Sequence, residues 1–295
     1  MALQIRRRGD GLMDYRPSSR LFLPQDVERR IIVPPAIVPP PPGWLPRVPT
    51  RGPRPTHRWS PDILRIPRRE CAIAFVQQAE NAGDGSATTI TVALGNTTTA
   101  NLLVCGVAWS GSGVNINTVA SPGNSLVAAR AKTAHSGNTD FYQIWYLENI
   151  TGETTPTVTV TFSVNATFRR IGMHEVSGLA TTGALDQTNG GTDDIGTTVA
   201  PGNVTTTVAD EYLFAGGTSF EAQTFTPGTS WTARATPSTD NFTQDRIVAA
   251  TGTYATSYTQ SSSAAWIAQA ATFKIAAAGG GGQPPRTMHQ ARMRR

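Results

Sequence analysis

Few residues in this sequence are of types and spacings that support catalysis. The four histidines, His57, His135, His174 and His289, are too scattered to assemble a metal cluster, and no HExxH, CxxC or P-loop motif occurs. His174 and Glu175 close a strand-like run, with Ser177 two residues beyond. Along an extended strand these side chains alternate faces, so they form no Ser-His-acid relay without partners from elsewhere, and they read as surface strand residues. There is no G-x-S-x-G nucleophile elbow. Glycoside hydrolysis needs two acids facing each other across a cleft. Glu148, Glu153, Glu175, Asp210, Glu211 and Asp245 are available, yet their spacing singles out no pair. Asp193 and Asp194 offer oxygens to a calcium ion but lack the ligand periodicity of a known loop. The residues therefore predict no enzyme and no cofactor.

Binding chemistry is better represented. Trp109, Tyr142, Trp145, Tyr146, Trp231 and Trp266 include enough aromatic surface for a sugar-stacking platform, although aromatics on strands more often serve the core. Five N-x-S/T sequons, at Asn96, Asn149, Asn165, Asn203 and Asn241, are what a Thr-rich, Asn-containing composition generates. Cys71 and Cys105 give neither a disulfide framework nor a metal spacing, and Cys105, inside LLVCGVAW, reads as a small buried hydrophobe.

The elements that must carry these residues are strands. In residues 156–163, Val158, Val160 and Phe162 alternate with Thr157, Thr159, Thr161 and Ser163, the period of a half-buried antiparallel strand. Its neighbour, 141–147, is apolar on both faces, which predicts a strand between two covering layers. Further candidates run from residue 72 to 274, separated by turn chemistry such as Gly111-Ser112-Gly113, Pro122-Gly123-Asn124 and Asn189-Gly190-Gly191. About a dozen strands suit an all-β, jelly-roll-type two-sheet antiparallel sandwich over residues 71–277. Two echoes suggest similar halves: 95–106 with 202–216, and 159–176 with 257–274. Charged residues make up only 15% of the chain, as expected for threonine-covered β-faces.

Charge is segregated along the chain. Residues 1–70 hold 14 Arg and no Lys against 6 acidic residues, whereas residues 71–278 hold 7 basic and 14 acidic ones. The first segment also contains 14 prolines, which remove backbone donors and force extended geometry, so residues 1–70 read as an extended arm. Apolar and aromatic points, Leu21, Phe22, Leu23, Ile31, Ile32, Trp44 and Trp59, interrupt it. Between them stand Arg6, Arg7, Arg8, Arg29, Arg30, Arg47, Arg51, Arg54, Arg68 and Arg69. Arginine without lysine favours forked pairing with carboxylates, so the arm is expected to lie across an acidic protein partner, including copies of itself, rather than nucleic acid. Residues 278–295 read as a Gly linker and a short basic tail. No apolar h-region follows the basic start and no run approaches the length of a membrane span, which predicts a soluble protein made in the cytoplasm without a signal peptide.

The stretches TANLLVCGVAW, DFYQIWYLENITG, TPTVTVTFS, IGMHEVSG, ADEYLFAGG and AAWIAQAATFK resemble jelly-roll, concanavalin-A-like modules of tailed-bacteriophage and bacterial surface proteins. The resemblance covers roughly residues 72–275, and its motifs are structural. By analogy of architecture, a β-module with an extended arm looks like the decoration, cement or head-fibre proteins of phage particles. The resemblance implies a non-enzymatic virion component that contacts capsid or other virion proteins; the alternative is a carbohydrate-binding or adhesin module that recognises a surface glycan.

Overall fold

The computed structural model describes residues 72–135 and 139–276, and the arm and tail lie outside this range. Within it the chain is all-β, every paired strand is antiparallel, and no helix occurs among the described residues. The first half comprises β1 (Ala74–Gly83), β2 (Ala87–Ala93), β3 (Leu102–Ser110), β4 (Ile116–Ser121), β5 (Asn124–Ala128), β6 (Thr133–Ala134), β7 (Asp140–Leu147) and β8 (Thr157–Ser177). The second comprises β9 (Leu185–Val199), β10 (Val204–Thr205), β11 (Glu211–Ser219), β12 (Phe225–Thr226), β13 (Thr232–Ala233), β14 (Asn241–Val248), β15 (Thr253–Tyr254) and β16 (Tyr258–Lys274).

The second half repeats the pairing scheme of the first. β3 lies between β7 and β8, and β11 lies between β14 and β16. β7 pairs β5 and β8 pairs β4, just as β14 pairs β13 and β16 pairs β12. β1 and β2 lie along β8, and the single longer β9 lies along β16. One difference separates the halves. β4 and β5 form a hairpin that closes β8-β3-β7-β5-β4 into a five-stranded barrel, whereas β12 and β13 do not pair and the second half stays open.

The repeat makes the first echo structural. Leu102 and Val104 face the same interior as Tyr212 and Phe214, while Leu103 and Cys105 face outward cores as Leu213 and Ala215 do. Each run is preceded by a residue with positive φ at the matching place, Ala100 (φ 70°) and Asp210 (φ 57°). The second echo is corrected by one residue. Val176 stands opposite Leu102 and Phe273 opposite Tyr212, so 176 corresponds to 273 rather than to 274. A one-residue slip would swap inward and outward faces, and burial selects the right register.

Three layers of core result. Val158, Val160 and Phe162 fill the barrel, together with Phe141 and Trp109, as the alternation predicts. Trp231 and Val248 belong to the outer core of the second half. Between them, Tyr142, Ile144 and Val176 meet Tyr212, Phe214, Ile267 and Phe273 along a seam between the halves. β7 is therefore covered on both faces, and so are β3 and β11. At the seam the Tyr142 hydroxyl lies where a Cβ on Gly106 or on Gly216 would stand, which explains the glycine shared by the two echoed runs.

Several local expectations change. Asn189-Gly190-Gly191 is not a turn but the middle of β9; a Cβ on Gly190 would meet Arg130 at 2.7 Å, so the glycines serve close approach. The strand expected at 156–163 is the first part of a longer one, β8, which changes direction at Phe168 (φ 46°), where pairing passes from β2 and β4 to β1 and β3.

β7 has a gap between its partners β5 and β6, which would strand the Ile144 amide. Gln269 of β16 fills it across the seam: its Oε1 accepts from Ile144 N at 2.9 Å, and its Nε2 donates to Ala131 O and Thr133 Oγ1, both at 2.9 Å. Gln269→Leu keeps the bulk but leaves that buried amide unmet, so unfolding free energy measured by denaturant titration should fall by about 1–3 kcal/mol. No change would mean the amide finds another acceptor.

Candidate functional site

The ends of β3 and β11 stand side by side at one end of the seam and frame a cleft of about 200 Å³. Trp109 and Ser110 form one side, and Thr218, Ser219 and Phe220 the other. Asp140, at the start of β7, and Asp240, just before β14, bring a carboxylate from each half. Phe168 forms the rim, 55% exposed, and Phe220 is 39% exposed.

The two carboxylates are held differently. Asp240 takes a forked pair from Arg170, Nε and a terminal nitrogen each at 2.8 Å, and Arg170 also reaches Asp84 at 2.7 Å. These partners hold the Arg170 guanidinium above its ordinary pKa against the effect of burial. Among the described residues Asp140 accepts from two hydroxyls, those of Ser110 and, at 2.8 Å, Thr139. Around it, the Trp109 ring stacks on Phe141 at 5.3 Å, and the Lys132 ammonium sits 3.8 Å above the Phe141 ring while donating to Val114 O. Phe168 keeps its strained backbone because its N–H donates to Asp84 O at 3.3 Å, in the loop that Arg170 clamps.

A second polar cluster lies wholly inside the seam. His174 is not a surface residue but fully buried, with Nδ1 2.8 Å from the Tyr212 hydroxyl and Nε2 2.9 Å from Thr243 Oγ1. Its ring meets Phe75 and Phe214 edge-on. Burial, reinforced by the Arg234 charge, pushes the imidazole down to about 3, so it is neutral, one nitrogen donating and the other accepting. Arg234 pairs with Asp245 at 2.9 Å and lies 3.5 Å over the Phe75 ring, yet burial still raises the Asp245 carboxyl. Glu175 points to the opposite face, also fully buried, and accepts from Gln77, Asn101 and the Thr98 amide. The alternation expected for His174 and Glu175 holds; their exposure does not.

The remaining acids are dispersed. Glu148 caps the amides of Gly183 and Ala184, Glu153 accepts from Ser121 and Gly123, and the Asp193 carboxylate accepts from the Ile195 amide. Burial raises Glu211, with neighbouring Asp186 adding to the effect, while hydrogen bonds from Thr207 lower Asp186. No group of three or more His, Cys, Asp or Glu suited to a metal occurs among the described residues. Cys105 is buried, and that pushes its thiol up to about 12. Of the aromatics considered for stacking, Tyr142, Trp231 and Trp266 are core residues, and Trp109 forms only a buried wall of the cleft. The exposed rings there, Phe168 and Phe220, carried no sequence signal beyond their type. Every predicted partner-binding position, from Arg6 to Arg69, lies outside the described residues.

Comparison with known proteins returned no matching family model, no matching curated protein and no matching solved structure.

His174 makes stability depend on pH in a defined direction. The unfolded chain takes up a proton below about 6.5 while the folded one stays neutral until about 3, so this contribution is complete above pH 6.5 and is lost as pH falls. Between pH 7 and pH 5 the native chain should lose about 2 kcal/mol more unfolding free energy than His174→Gln, measured by denaturant titration at both values. Equal losses would show that the ring titrates alike in both states.

Proposed function

We propose that this chain is a non-enzymatic structural protein of a virion surface, of capsid decoration, cement or head-fibre type, anchored to the particle through residues 1–70. The observation that carries this reading is the polarity of the described body. Ala72 and Ile275, its near-terminal residues, line one hollow with Asp210 and Ile247, at the end where β3 and β11 begin. The aromatic-rimmed cleft lies at the other end of those strands, about 25 Å away for a nine-residue strand. A module tethered from one end presents the other outward.

Charge supports the same arrangement. The arm's arginines fit carboxylates of capsid or other virion proteins, or of sister copies, while its apolar points gain burial as they order. Many copies would add many small contacts into firm attachment. The resemblance to jelly-roll modules of phage and bacterial surface proteins belongs to this reading; the all-β antiparallel fold is compatible with it. Assembly in the cytoplasm and display on the particle follow from it.

A chain lacking residues 1–70 should melt cooperatively near the temperature of the full chain and fail to co-sediment with particles when produced beside their other structural proteins. Full occupancy without the arm would refute the anchoring.

A further inference from the structure

The cleft between the ends of β3 and β11 has the chemistry of a ligand site. Its exposed surface is apolar at Phe168 and Phe220 and hydrogen-bond accepting at Asp140. The hydroxyls of Ser110 and Thr218 are turned inward, to Asp140 and to Asp240 O, so they do not offer their protons to the opening. Among the described residues each Asp140 oxygen accepts from one hydroxyl, and a carboxylate oxygen can accept a second donor. Arg170 is committed to Asp240 and Asp84, and no lysine or arginine is among the described residues lining the cleft.

A ligand that matches this surface has an apolar face to lie against an aromatic ring and several hydroxyl donors on its edge. A pyranose ring is such a molecule. A cleft of about 200 Å³ is smaller than the roughly 300–1,000 Å³ of drug-sized sites, so it suits a single ring at a chain end. An anionic sugar would set its carboxylate against Asp140 without a cation among the described lining residues.

Phe168 supplies an independent argument. It is the one aromatic residue among the six described non-glycine positions with positive φ, and more than half of it is exposed. A bulky side chain held in that conformation contributes strain, and an exposed ring recovers little by burial. Arg170 and Asp84 nevertheless hold this segment rigidly, with the guanidinium 6.0 Å from the ring. Glycine would adopt the same backbone with less strain.

We propose that this cleft binds the neutral terminal pyranose of a glycan, stacked on Phe168 with hydroxyls donated to Asp140. The inference deepens the display reading, which supplies its setting, but its test does not depend on assembly.

The full chain, fluorescently labelled, is applied to an array of glycans ending in neutral or acidic sugars. The best-binding neutral terminal sugar, as its methyl glycoside, is then titrated by NMR. Signal should concentrate on neutral termini. Phe168→Gly should weaken binding at least about tenfold while leaving the thermal midpoint unchanged or raised, and Asp140→Asn should weaken it with the fold intact by circular dichroism. Val164→Ala, at an exposed position outside the cleft lining, serves as the control and should bind as the native chain does. Absence of any glycan signal above that of the Phe168→Gly/Asp140→Asn double variant overturns the proposal, as does a preference for acidic termini or undiminished binding in both single variants. A thermal midpoint lowered by Phe168→Gly would assign the ring a structural role instead.

Discussion

The seam between the two β halves is the constraint on which the molecule depends. β3, β7 and β8 on one side and β11 and β16 on the other each carry apolar residues toward both an outer core and this shared one, while β14 turns Thr243 and Asp245 to the seam. A sheet apolar on both faces has no stable arrangement without a cover on each, so neither half is complete alone. Polar groups enforce the same dependence. His174 finds its partners in Tyr212 and Thr243, and the Ile144 amide finds its acceptor in Gln269, all across the seam. Parting the halves into an apolar environment would leave these groups unmet, and parting them into water would expose the apolar residues of the shared core.

The seam also accounts for features that look incidental within either half. Gly106 and Gly216 occupy equivalent places on the two central strands because the Tyr142 hydroxyl passes between them. Gly172 is tight for a related reason, since a Cβ there would meet Thr243 at 2.9 Å and Ala235 at 3.0 Å. The equivalent central strands β3 and β11 meet across the seam, while β7 meets β16 and β8 meets β14; the halves are not identical, since one closes into a barrel and the other remains open between β12 and β13. The open half compensates with the long β9, whose glycines let it press against Arg130 and the Ala200 carbonyl.

The two ends of this pair differ. At one end the chain enters and leaves near Asp210; at the other, segments from both halves converge on Asp140, Phe168, Phe220 and Asp240. A site built from strand ends of two packed sheets is held by the seam beneath it, which is how a small number of surface side chains acquires fixed geometry. The buried ionisable groups are arranged for structure. His174 is uncharged, and Asp245 and Glu211 are pushed toward protonation by burial.

The sequence by itself determined what depends on neighbours along the chain. The alternation of Val158, Val160 and Phe162 named a strand and its inward face, the two-sided apolarity of 141–147 announced a covered strand, and the echo of 102–106 in 212–216 exposed the repeat. These signals have periods of two residues, and periodicity survives without tertiary information. Only the tertiary structure decided the rest. His174 looked like a surface residue because its partners stand 38 and 69 positions away. Asn189-Gly190-Gly191 looked like a turn because glycine signals a turn and a close approach alike. The cleft gathers side chains from five separate stretches between residues 108 and 240, none with a motif of its own, so it exists only once the two sheets have packed.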